Sequence, residues 1–133
     1  MDRQVLNVSA LLAPYFPSFR PSRDKKVCRG LLVSLGAHVV VGENAFEGQE
    51  AVRTYRPNLV LSDILLPGRD GFALLRDIRA PGPDAGGNVP VIAMTALVRH
   101  VDRTRVLNAG FQAYLPKPFT PDRLLETILA VLS

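Results

Sequence analysis

Apolar residues along the chain come in two textures. Four short runs are almost uniformly apolar: Val39-Val40-Val41 behind His38, Leu59-Val60-Leu61, Val91-Ile92-Ala93-Met94 and Ala113-Tyr114-Leu115. Runs this short and this apolar read as strands covered on both faces, as in a parallel sheet. Between them the apolar positions recur at helical spacing. Ser22 caps RDKKVCRGLLVSL, whose Val27, Leu31, Leu32 and Leu35 share one face before Gly36 ends the helix. Asn44 caps AFEGQEAVRTY, with Glu47 placed for a capping box and Pro57 just beyond. Residues 72–79 and about 98–109 form two more helices, the second stopped by Gly110. APGPDAGGN (80–88) reads as a flexible loop. Thr120 caps the last helix, which has Pro121 at its first position and Leu124, Leu125, Ile128, Leu129 and Leu132 on its apolar side.

Strands alternating with helices across short loops predict an α/β, doubly wound sandwich. There is no internal repeat or low-complexity tract, and 133 residues suit a single domain. No apolar stretch reaches the roughly 20 residues of a membrane span, and the start lacks the pattern of a signal peptide. One cysteine, Cys28, leaves no disulfide framework and fits a cytoplasmic protein.

The net charge of +4 is uneven. Residues 1–36 hold six basic side chains against Asp2 and Asp24, while residues 37–133 hold ten of each sign. The excess therefore clusters near Lys25, Lys26 and Arg29. Without aromatic interleaving or zinc-finger spacing, it reads as a solvated helix face, and no nucleic-acid partner is expected. Cys28, His38 and His100 are too isolated to form a metal site.

In doubly wound folds, sites gather beyond the carboxyl ends of the strands. Asp63, Thr95 and Lys117 fall at three such ends. Taken singly, they read as a turn former, a helix cap and a surface charge. Together, a carboxylate, a hydroxyl and an ammonium make a phosphoryl-handling set. The carboxylate can act as nucleophile, while the ammonium and hydroxyl hold phosphoryl oxygens.

From about Ser22 to Leu132 the chain resembles the response-regulator receiver domain of two-component signalling. RPNLVLSDILLPGRDGF resembles the phosphoacceptor segment, VPVIAMTA the switch-threonine segment, and AGFQAYLPKPF the segment with the switch aromatic and lysine. The resemblance implies a flavodoxin-like fold with a five-stranded parallel sheet and five helices. It casts Asp63 as phosphoacceptor, Thr95 and Tyr114 as switch residues and Lys117 as the conserved-type lysine, with a cis Lys117–Pro118 bond. Asp63 and the Leu65 carbonyl would bind Mg²⁺, with Asp24 a candidate contributor. The implied partners are a histidine kinase or phosphotransfer protein, and downstream either another protein or a second copy. Output would pass through the face built from the helix after Thr95, the Tyr114 strand and the last helix. The implied role is regulatory, not that of a metabolic enzyme. The resemblance implies one receiver domain over residues 1–133 with a divergent segment at 1–21, and with the end at Ser133 no output domain is expected.

One part of the pattern is missing. Receivers carry an acidic pair at the end of their first strand, and this sequence offers none. Counting back from Gly36 places Phe19-Arg20 there, after a strand at residues 14–18 that carries two prolines. The preferred alternative puts the strand at residues 4–8, with Ser9-Ala10 in the acidic positions. Arg20, turned inward, would repel a metal and pair with Asp63. Two readings stay open: a working phosphoacceptor with weakened or absent Mg²⁺ binding, and a pseudo-receiver acting as an unphosphorylated binding module. A haloacid-dehalogenase-type hydrolase is disfavoured because Leu65 stands where that family wants a second aspartate. A flavin-binding flavodoxin would want a hydroxyl-rich loop after the first strand, where only the scattered Ser18 and Ser22 could serve.

Overall fold

A computed structural model describes residues 7–11, 23–42, 45–64, 71–95, 100–117 and 119–132. The elements run β1 (Asn7–Leu11), α1 (Arg23–Ser34), β2 (His38–Gly42), α2 (Ala45–Tyr55), β3 (Leu59–Asp63), α3 (Gly71–Arg79), β4 (Val91–Thr95), α4 (His100–Ala109), β5 (Ala113–Pro116) and α5 (Pro121–Leu132). All strand pairings are parallel and the order is β2-β1-β3-β4-β5. This is the doubly wound, flavodoxin-like arrangement, with five strands and five α-helices among the described residues.

Strand alternation explains the two apolar layers. Leu59 and Leu61 of β3, Ile92 and Met94 of β4, and Leu115 of β5 pack with Cys28, Leu32, Leu124 and Ile128 of α1 and α5. Val60, Val91 and Ala93 face the other way, toward Val52 of α2, Leu74, Leu75 and Ile78 of α3, and Val106 of α4. Each central strand is thus apolar on both sides, which is why its sequence showed no alternation. Cys28 is fully buried, its Sγ 3.8 Å from Met94 Sδ, as a core side chain.

Helix ends follow their local signals. Gly36 has φ 83°, its amide bonds Val33 O at 3.0 Å, and Ala37 N bonds Leu32 O at 2.9 Å, closing α1 with a Schellman-type turn. Thr120 Oγ1 accepts the Arg123 amide at 3.1 Å, the expected cap of α5. The proposed caps Ser22 and Asn44 lie outside the described residues.

Two expectations change. The first strand is Asn7–Leu11, neither residues 4–8 nor residues 14–18. As the middle strand it must register with both neighbours, Val8 with Val39 and Leu59 through Leu11 with Gly42 and Ser62. Two-sided pairing, rather than local hydrophobicity, set its position. Residues 80–88 are also more ordered than a flexible loop. A 3-10 turn at Pro83–Ala85 is flanked by Gly82 N to Arg79 O (3.1 Å), Gly86 N to Pro83 O (3.1 Å) and Gly87 N to Gly82 O (2.9 Å). A Cβ on Gly87 would lie 2.6 Å from Gly82 O, so the segment closes too tightly for any other residue.

Candidate functional site

β3 carries its only charge at its last position, where a core strand meets the carboxyl rim. Asp63 is 5% exposed beneath four buried β3 residues. It pairs in register with Met94, and Met94 with Leu115. Asp63 continues the parity of Leu59 and Leu61, and Lys117 continues that of Leu115. Both charged residues therefore fall on the α1/α5 side of the sheet. Two strand spacings, roughly 10 Å, separate β3 from β5, a gap that a lysine stem crosses. Lys117 Nζ donates to Asp63 Oδ2 at 2.5 Å, a short charge-assisted bond between side chains 18% and 7% exposed. An aspartate this deep would be costly alone, and the ammonium offsets that cost.

The backbone around Asp63 is held from two directions. Ile64 N donates to Met94 O at 3.2 Å, and Gly71 N donates to Ile64 O at 2.5 Å. α3 therefore starts directly against the end of β3. A Cβ on Gly71 would lie 2.6 Å from Asp63 O and 2.9 Å from the Ile64 Cα. Gly71 is not among the positive-φ residues, so no left-handed turn calls for a glycine here. Close backbone approach explains it.

Thr95 ends β4, its Cα in register with Pro116 one residue before Lys117. The structure thus brings the ends of β3, β4 and β5 together as expected, with the Asp63–Lys117 contact between side chains. Tyr114 is half-buried and packs against the layer of α2, α3 and α4. Leu65, Pro118 and Arg20 lie outside the described residues. Asp24 falls in the first turn of α1, and only its backbone is described.

The sequence supplies no carboxylate at the end of β1. β1 ends with Leu11 in register with Ser62, and the sequence continues Leu12-Ala13. The expectation that Ser9-Ala10 would lie at the strand end is therefore corrected, since both lie inside β1. The acidic pair is missing in this register too. No group of three His, Cys, Asp or Glu suited to a metal exists among the described residues. Mg²⁺ favours near-octahedral oxygen ligation with one or two carboxylates. The described donors, one carboxylate already paired with an ammonium, do not fit a tightly held Mg²⁺.

Sequence reading missed Arg79 at the opposite, amino rim of the sheet. Its Nη1 donates to Gly87 O at 2.8 Å and Val89 O at 2.6 Å, and its Nη2 to Gln112 Oε1 at 3.1 Å. Gln112 Oε1 also accepts the Val91 amide at 2.8 Å. Burial lowers the Arg79 pKa from its usual value. A basic residue in a helix's last turn is common enough to hide such a role in sequence.

Comparison with known proteins agrees with this architecture. The family model of the response regulator receiver domain matches residues 25–129. The chain is 33% identical over 109 residues to the polar-differentiation response regulator DivK of Brucella anthropi, covering 82% of this chain and 87% of that one. It is 36% identical over 104 residues to an uncharacterized 14.6 kDa protein of Leptolyngbya boryana, with 78% of each covered. Among solved structures, the receiver domain of the sensor histidine kinase PA1611 of Pseudomonas aeruginosa superposes with TM-score 0.80 at 28% identity, covering 97% of this chain and 98% of that one. That structure has a magnesium ion coordinated in its active-site cleft. A CheY-like receiver domain protein of Methanospirillum hungatei gives TM-score 0.75 at 26% identity, with 97% and 94% covered. The chain belongs to the response-regulator receiver domain family, the signalling module of two-component systems.

Proposed function

We propose that this receiver domain accepts a phosphoryl group on Asp63 and signals through protein contacts. The observation that carries the reading is the 2.5 Å bond between Asp63 and Lys117 at the carboxyl rim. This ion pair, with both side chains below 20% exposure, lies at the rim where doubly wound folds bind ligands.

In the proposed step a carboxylate oxygen of Asp63 attacks the phosphorus of a phosphohistidine on a histidine kinase or phosphotransfer protein. The O–P bond forms as the N–P bond breaks, and the leaving imidazole keeps the bond pair and takes up a proton. Lys117 would turn from the carboxylate to a phosphoryl oxygen as a point charge. Thr95, ending the neighbouring strand, is the proposed hydroxyl donor, and Tyr114 is its switch partner. Output would run through α4, β5 and α5 to another protein or a second copy. The domain is read as regulatory rather than as a metabolic enzyme, acting in the cytoplasm, where one buried thiol suits reducing conditions. Mg²⁺ affinity would be low, because Leu11 and its successors supply no carboxylate. The scarcity of acids specifically favours a second reading, a pseudo-receiver whose Asp63–Lys117 pair is permanent.

Incubation with a small phosphodonor at low and high Mg²⁺, read by intact mass, separates the two readings. A phosphoryl adduct in the wild type and none in Asp63→Asn supports the first. Absence of the adduct at every Mg²⁺ concentration, with the fold intact, overturns it in favour of the pseudo-receiver.

A further inference from the structure

Outside the N-terminal segment this chain is balanced in charge, with ten basic and ten acidic residues in 37–133. The exposed groove between α3 and α4 departs from that balance. It holds about 980 Å³, and its described lining residues include Arg76, Arg79 and Arg105 and no carboxylate. Its remaining lining is partly apolar, with Leu75 and the half-buried ring of Phe72.

The three arginines are not equivalent. Arg79 is held by backbone carbonyls and Gln112. Arg105 places its guanidinium 4.5 Å from the centroid of Phe72, whose ring meets Phe111 edge-on at 5.8 Å and 82°. A guanidinium held over a ring by cation–π attraction still has N–H groups to offer a planar acceptor such as a carboxylate. Arg76 is exposed on α3, one turn before Arg79. One aromatic-supported and one exposed cation thus flank an apolar strip.

We propose that this groove docks an acidic segment of a partner protein. Its carboxylates would engage Arg105 and Arg76, and an apolar side chain would rest on Phe72 and Leu75. The aliphatic Leu75 beside Phe72 suits a peptide carrying both acids and hydrophobic residues better than the polar sugar-phosphate backbone of a nucleic acid. This surface does not depend on Asp63 being phosphorylated.

The test is fluorescence anisotropy with the full chain and three labelled probes: a short helical Glu/Leu peptide, its Gln/Leu counterpart and a thymidine oligonucleotide. The Glu/Leu peptide is expected to bind the wild type and to weaken about tenfold in Arg76→Glu/Arg105→Glu, as loss of anchoring arginines does. Asn108→Glu, which adds a charge at the same groove without removing an arginine, should weaken binding in the same direction. Lys25→Glu/Lys26→Glu should leave it within about twofold, because α1 packs on the opposite face of the sheet from α3 and α4. Circular dichroism melts establish that each variant is folded. The proposal is overturned if the Glu/Leu peptide does not bind or binds no better than the Gln/Leu peptide. It is likewise overturned if the Lys25/Lys26 variant loses binding while the groove variants keep it, or if the oligonucleotide binds more tightly.

Discussion

Each rim of the sheet buries a cation, and the two solutions differ in kind. At the carboxyl rim Lys117 meets another charge, the carboxylate of Asp63. At the amino rim Arg79 meets neutral acceptors, the carbonyls of Gly87 and Val89 and the amide oxygen of Gln112. Carbonyl partners are fixed by the backbone, so Arg79 can only hold its neighbours in place. A side-chain partner is not fixed in that way, and in the proposed phosphorylation Lys117 exchanges it for a phosphoryl oxygen. On that proposal one rim anchors, whereas the other rearranges with its ligand.

The largest test of this contrast is removal of Lys117. Lys117→Ala removes the ammonium beside Asp63, which is 5% exposed, and should cost about 3–5 kcal/mol, as breaking a buried pair does. Urea unfolding measures it. Adding Asp63→Leu should recover most of that loss, since apolar replacement of a buried pair is often neutral or better. If the double variant is no more stable than the single one, the pair is not what holds this rim together.

Gly71→Ala comes next. Its Cβ would collide with Asp63 O and the Ile64 Cα, so α3 must move off β3 at a cost of about 1–3 kcal/mol. Amide exchange should rise at Ile64 and along α3 while the amides of β5 stay protected.

Arg79→Ala should cost about 2 kcal/mol, the scale of losing hydrogen bonds to a charged group. Its loss should be the same at pH 5 and pH 9. Burial lowers the folded-state pKa of Arg79 relative to the unfolded chain. That desolvation penalty is present wherever the guanidinium is charged and would fade only as strongly alkaline pH discharged it. A cost that changes across that interval would show that titrating groups, not carbonyls, govern the amino rim.

Thr120→Ala should have the smallest effect, about 1 kcal/mol from the lost cap on the Arg123 amide. Lys117 lies three residues before it, so an unchanged phosphodonor response in this variant would separate helix capping from the chemistry of the rim.

Much of this was legible along the chain. The doubly apolar runs 59–61 and 91–94 announced buried parallel strands, because each face of such a strand needs its own apolar layer. Gly36, Thr120 and Pro121 marked helix ends by backbone conformation and capping, which act over a few residues. Asp63, Thr95 and Lys117 were readable as strand-end positions, and strand order then made them neighbours. β1 was misplaced because its position answers to β2 and β3 together, which local sequence does not encode. Arg79 was missed for a similar reason: its acceptors at Gly87, Val89 and Gln112 lie 8 to 33 residues away.

The sequence by itself determined the order of elements, the helix ends and the residue types available at each strand end, all consequences of short-range periodicity and backbone chemistry. Tertiary structure alone decided which charges meet. It brought Lys117 onto Asp63 across two strand spacings, made Gly71 necessary by close approach, and turned Arg79 from a helix-end cation into a clamp. Distance in space, set by sheet order and packing, has no counterpart in distance along the chain.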